Sequence, residues 1–184
     1  MKMSTLFTWL ETLLVVFVCA SAIALAQIAA PCAELRDSAR DARWLHHSLH
    51  NGAIPYAACY GGASACADNC SIIKIVNGGT DAVVSIKNKA GVVVLHGYVV
   101  RDSTWSFPVH DGVYQVFFYS GTGWNPELPM KGASCKELRG AFVCGGIISK
   151  ADIVTLESEM MTYELILQDH GNLEVKPSTP GEAF

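Results

Sequence analysis

Seven cysteines and six histidines carry most of the chemistry available to this 184-residue chain. Cys19 lies inside an apolar N-terminal stretch, whereas Cys32, Cys59, Cys66, Cys70, Cys135 and Cys144 form an even set beyond it. An even set behind a targeting segment is the pattern of disulfides formed in an oxidising space outside the cytoplasm. Cys135 and Cys144 flank a short glycine-containing turn and are the pair most simply assigned. The rival is a metal site from Cys59, Cys66 and Cys70 with Cys32 or a histidine. Zinc thiolates usually come in C-x2-C pairs, and Cys66 to Cys70 is one residue longer, so no metal site is assigned.

His46 and His50 would share one face of a helix, with His47 beside them. The glutamate of an H-E-x-x-H motif does not accompany them, and polar residues finishing a solvated helix explain them. His110, Asp111 and Ser103 can be drawn as a catalytic triad, yet spacing does not show that they converge, and turn residues are the simpler account. The chain lacks a G-x-S-x-G elbow, a phosphate-loop lysine and a dinucleotide fingerprint. An even cysteine set also leaves no thiol over for catalysis. The sequence therefore predicts neither an enzyme nor a bound cofactor. Net charge is −4, with 13 Lys and Arg scattered among 17 acids; nucleic acid, which needs a clustered positive field, is not an expected partner.

The scaffold is more legible than the chemistry. From Ser71 to Ser120 the chain reads as five β-strands rich in β-branched and aromatic residues. Breaks fall at Asn77-Gly78-Gly79, Lys89-Ala90-Gly91, Arg101-Asp102 and His110-Asp111-Gly112, where glycine and short polar residues accept turn conformations. Strands joined so tightly are expected to be mostly antiparallel, since a parallel neighbour needs a long crossover. Further strands are expected at Phe142–Ile148, Ile153–Leu156 and Met161–Leu167. The fold class is mainly β: an antiparallel two-sheet sandwich of seven to eight strands, preceded by an N-terminal apolar helix and a short amphipathic helix. The expected organisation is a signal peptide or membrane or filament helix over 1–30, the amphipathic helix over 31–52, a Cys-rich connector over 53–70, the sandwich over 71–175 and a tail over 176–184. The connector's small residues are expected to be ordered by its cysteines, and the tail to lie outside. Gly121 to Gly140 is expected to be irregular. There Trp124 and Asn125 are candidates for surface recognition, the alternative being that Trp124 closes one end of the core. Trp105, alternating with Phe107, is expected in the core.

Residues 13–26 form an apolar run, with Lys2 ahead of it and Ala24-Leu25-Ala26 behind as a small-residue cleavage pattern, which is the reading for a secretory signal. Glu11 sits at the edge of this run, where an acid is costly in a lipid-facing helix. Phe7-Thr8-Trp9-Leu10-Glu11 resembles the start of a mature type IV pilin, an aromatic residue followed four positions on by a glutamate. The resemblance implies assembly roles for Phe7 and Glu11, the glutamate pairing with a neighbour's amino terminus. Leu6 stands where that family has glycine before the cleavage point. Gly112-Val113-Tyr114 is similar to the turn-to-strand motif of carboxypeptidase-regulatory-like and PEGA modules. Over 72–184, the run Val76-Asn77-Gly78-Gly79-Thr80, Gly97-Tyr98-Val99-Val100, Phe107-Pro108-Val109 and Tyr119-Ser120-Gly121-Thr122-Gly123-Trp124 resembles uncharacterised bacterial envelope β-sandwich proteins. These features predict a non-enzymatic, exported or membrane-anchored protein acting in interaction or assembly at the cell envelope. Its partner would be a protein or another copy, and the membrane would be met through the N-terminal helix. A pilin-like filament subunit and a metal-binding or enzymatic envelope domain are the alternatives.

Overall fold

Alternation drives the first strand. In β1 (Ser71–Asn77) every second residue is buried, so Ile73 and Ile75 face inward while Ile72, Lys74 and Val76 are half-buried on the other side. The computed structural model describes residues 42–62, 66, 68–135, 138–166 and 175–184. Within them the five expected strands are present as β1, β2 (Asp81–Asn88), β3 (Val93–Val99), β4 (Ser103–Val109) and β5 (Gly112–Pro129). They are followed by β6 (Arg139–Lys150), β7 (Val154–Leu156), β8 (Met160–Leu165) and the two-residue β9 (Lys176–Pro177). Two short helices, α1 (Ala57–Tyr60) and α2 (Pro180–Ala183), complete the described elements.

The strands make two sheets. A three-stranded sheet has the order β4-β1-β8, and a larger one the order β3-β2-β5-β6-β9 with β7 also paired to β5. Antiparallel pairing dominates, but β1 and β8 run parallel, which the long excursion through the other sheet permits. One core lies between the sheets and contains Ile73, Ile75, Val84, Ile86, Phe107, Val116, Phe118 and Tyr163.

A second core lies on the far face of the larger sheet, built on Tyr56, Val83, Tyr98, Phe117, Tyr119, Trp124, Phe142 and Phe184. The first six residues of β2 are accordingly all buried, because both faces are covered. This third layer, made of chain outside the strands, revises several expectations. The tail does not lie outside: Phe184 is 1% exposed and its ring meets Tyr56 edge-on at 4.9 Å. Its backbone is held as well, with Ser85 Oγ donating to the Ala183 carbonyl at 2.7 Å and Ser134 N–H to that of Phe184 at 3.0 Å. The connector contributes core too, for Tyr56 is 1% exposed and donates its hydroxyl proton to the Gly140 carbonyl at 3.0 Å.

The stretch Gly121–Gly140 is not irregular throughout, since β5 runs on to Pro129 and β6 begins at Arg139. Trp124 and Asn125 are therefore buried, not displayed. The Trp124 indole meets Phe142 and Tyr98 edge-on at 5.2 and 5.5 Å, a preferred aromatic arrangement. Gly140 admits it: a β-carbon there would come within 2.4 Å of the indole. Trp105, by contrast, is 38% exposed on edge strand β4, its ring lying over Gly52.

Cys135 does not pair with Cys144. It bonds Cys59, across 76 residues, and Cys66 bonds Cys70. Cys144 sits in β6 opposite Thr122 and is itself disulfide-bonded. The part of the expected 31–52 helix within the described residues is mostly turn and irregular chain, so His46 and His50 do not share a helical face; the rest lies outside them. The apolar segment with Phe7, Glu11 and Cys19, and also Cys32, lies outside the described residues as well. No helix among the described residues is long and apolar enough to cross a membrane.

Candidate functional site

The backbone of a sheet edge is a binding surface unless something covers it. The free edge of β3 is covered: Gly52 N–H donates to the Tyr98 carbonyl and Tyr98 N–H to that of Ala53, both at 2.7 Å. Asn51 extends the cover, accepting from Val100 N–H at 3.1 Å. At the other end of the larger sheet, β9 is only two residues long and includes Pro177.

The three-stranded sheet is treated differently on its two sides. Ile72 N–H donates to the Glu159 carbonyl and Gly78 N–H to that of Leu165. With the β1–β8 register, Ile72, Lys74 and Val76 therefore turn their backbone groups to β8, and Ile73 and Ile75 turn theirs to β4. On β4, Thr104, Ser106 and Pro108 consequently face away from the sheet. The Thr104 carbonyl accepts from Asn51 Nδ2 at 3.0 Å, and Pro108 has no N–H to offer, which suits it to an edge. On β8 the same reasoning turns Met160, Thr162 and Glu164 outward. Among the described residues nothing pairs with them, and their side chains are exposed, Met160 by 61%. Ile166 continues the row at 49% exposure.

An anchored turn sets where this edge begins. Asp111 Oδ1 accepts from Ser71 Oγ and from Ser158 N–H, both at 2.7 Å, and Ser71 Oγ in turn accepts from Glu159 N–H at 3.2 Å. Ser158 has φ 57, a left-handed conformation that a serine adopts at a cost, and the carboxylate holds it there. The hydroxyl and amide donors lower the Asp111 pKa. Sequence reading placed Asp111 in a hypothetical triad and missed this role; its turn position beside Gly112 was the available signal.

The other sequence candidates do not converge. Ser103 donates to Asn51 at one end of β4, while His110 and Asp111 lie past the other end, about 20 Å away along an extended strand. His47 makes a 2.7 Å contact through Nδ1 with the Trp124 carbonyl and so ties its segment to β5, while His50 makes a local contact of 3.2 Å with the carbonyl of its neighbour Asn51. Among the described residues no group of three His, Cys, Asp or Glu is arranged to hold a metal. Cys59 and the Cys66–Cys70 pair, candidates for a zinc site, are in disulfides. The buried His96 was not singled out by sequence. Its Nε2 accepts from Tyr56 N–H at 3.1 Å, and burial lowers its pKa to about 4. Asp81 is also buried, accepting from Tyr98 OH, Ser48 Oγ and Arg101 N–H at 2.7, 2.6 and 2.9 Å; it fastens the third layer to the sheet. A groove of about 290 Å3 between Lys87, Tyr114, Ile153 and Glu182 is open and lies at the small end for ligand sites.

Comparison with protein families, with curated proteins and with solved structures finds no match.

Proposed function

We propose that this is a non-enzymatic, exported β-sandwich protein that works by protein interaction or assembly at the cell envelope. The observation that carries the reading is the β8 edge, where among the described residues nothing pairs with the outward backbone groups beside exposed Met160 and Ile166, whereas β3 and β4 carry covers. Such an edge offers main-chain hydrogen bonds to an added strand. The disulfides support an oxidising location. Photo-crosslinking in the source cells, with a benzophenone amino acid at Met160, tests the reading. Adducts with a protein in the envelope fraction are expected. A chain recovered without adducts from the cytosol, its thiols reduced, would overturn it.

A further inference from the structure

We infer that the occupant of the β8 edge is the β8 edge of a second copy, paired antiparallel about a two-fold axis at Thr162. This deepens the assembly reading and rests on it. A dimer of identical chains most simply uses one patch twice, and an outward-facing strand can pair with its own copy when its side chains suit the reversed order. Here they do. With the axis at Thr162, Thr162 faces its equivalent, Met160 faces Glu164, and Glu164 faces Met160. All three residues turn their backbone N–H and C=O outward, so each pair exchanges two hydrogen bonds.

Overlap and charge together set the register: an axis at Thr162 pairs all three outward residues of β8 (Met160–Leu165), and one nearer either end pairs fewer of them. An axis at Glu164 would set two carboxylates directly opposite each other, which is destabilising. The Thr162 axis instead separates them by four residues, about 13 Å along the strands, and creates a threonine pair, a favourable cross-strand combination. In β1 the neighbour of Thr162 is Lys74, a diagonal neighbour of Glu164 on the same outer face. The result is a six-stranded sheet from two three-stranded ones. Pro108 and Asn51 block β4 from making the equivalent contact, so growth stops at two through this sheet.

Sedimentation of the purified full-length chain in detergent, with two variants, tests the inference. Thr162→Pro removes an N–H that points away from β1, so thermal unfolding of the subunit is expected to change little while the dimer is lost. Thr162→Cys should form an intersubunit disulfide on mild oxidation, since directly opposed hydrogen-bonded residues lie about 5.5 Å apart at Cα. Ser106→Cys on the blocked edge should not. Concentration-dependent dimerisation abolished by Thr162→Pro, together with selective trapping by Thr162→Cys, supports the inference. A monomer at every concentration, untrapped by Thr162→Cys, overturns it. Self-association that Thr162→Pro leaves unchanged also overturns it, while leaving the wider assembly reading intact.

Discussion

His96 shows how one buried side chain makes stability depend on pH. Its Nε2 accepts from the Tyr56 amide beside the second core, so a proton on that nitrogen would face an N–H at a site only 4% exposed. Burial lowers its pKa from 6.5 to about 4. The unfolded chain binds the proton first as pH falls. The stabilisation from neutral His96 is therefore complete above about pH 6.5 and is lost progressively down to about pH 4. The loss is at most about 3 kcal/mol. Urea unfolding of wild-type and His96→Leu proteins across this range should show a slope in the wild type that the variant lacks; equal slopes would assign the acid sensitivity elsewhere. Asp111 has the opposite ionisation with the same sense of pH. Its pKa is lowered by the Ser71 and Ser158 donors, so its contribution is present above the ordinary carboxylate range and is lost as pH falls through its lowered pKa. Asp111→Ala should speed hydrogen exchange at the Ser158 amide with little change in the strands of the larger sheet.

At the scale of elements, the chain announced whatever its local periodicity encodes. Alternation in Ser71–Asn77 and the turns at Asn77-Gly78 and Asp111-Gly112 made β1 to β5 readable, since a strand's period and its breaks are local properties. The parallel partnership of β1 with β8 left no local trace, because pairing is decided by what the intervening chain can bridge. The same limit hid the tail. Lys176–Phe184 contains one large apolar residue, and only the seat formed by Tyr56, Tyr119 and the loop at Ser134 makes that residue core. The burial of Trp124 was legible from its size, as the reading in which it closes one end of the core; its setting was not, since Asn125-Pro126 reads as loop and the glycine that accommodates the indole lies 16 positions away at Gly140. Truncating a buried aromatic ring loses transfer free energy and leaves a cavity. Phe184→Ala should therefore lower the free energy of unfolding by about 3 kcal/mol, measured in urea. A change near zero would mean that the tail seat contributes nothing to folding.

For the whole molecule, the disulfides decide how the third layer is fastened to the sandwich. Cys59–Cys135 spans 76 residues and Cys66–Cys70 only four. Loop-closure entropy then assigns about 4.5 kcal/mol to the first and about 2 kcal/mol to the second. The Cys59→Ser/Cys135→Ser double variant should accordingly unfold at lower urea than Cys66→Ser/Cys70→Ser. Cys144 is disulfide-bonded as well. It follows Val143, whose side chain lies beside Gly123 where the Leu45 backbone crosses; a β-carbon on Gly123 would come within 2.8 Å of Leu45 Cα. The chain at this crossing is also held by the Trp124 N–H bond to the His47 carbonyl. Peptide mapping without reduction should recover the Cys59–Cys135 and Cys66–Cys70 peptides and a further cross-linked peptide that contains Cys144. Alkylation of Cys144 in the native, unreduced protein would refute that last assignment and leave the crossing at Gly123 to hydrogen bonding and packing.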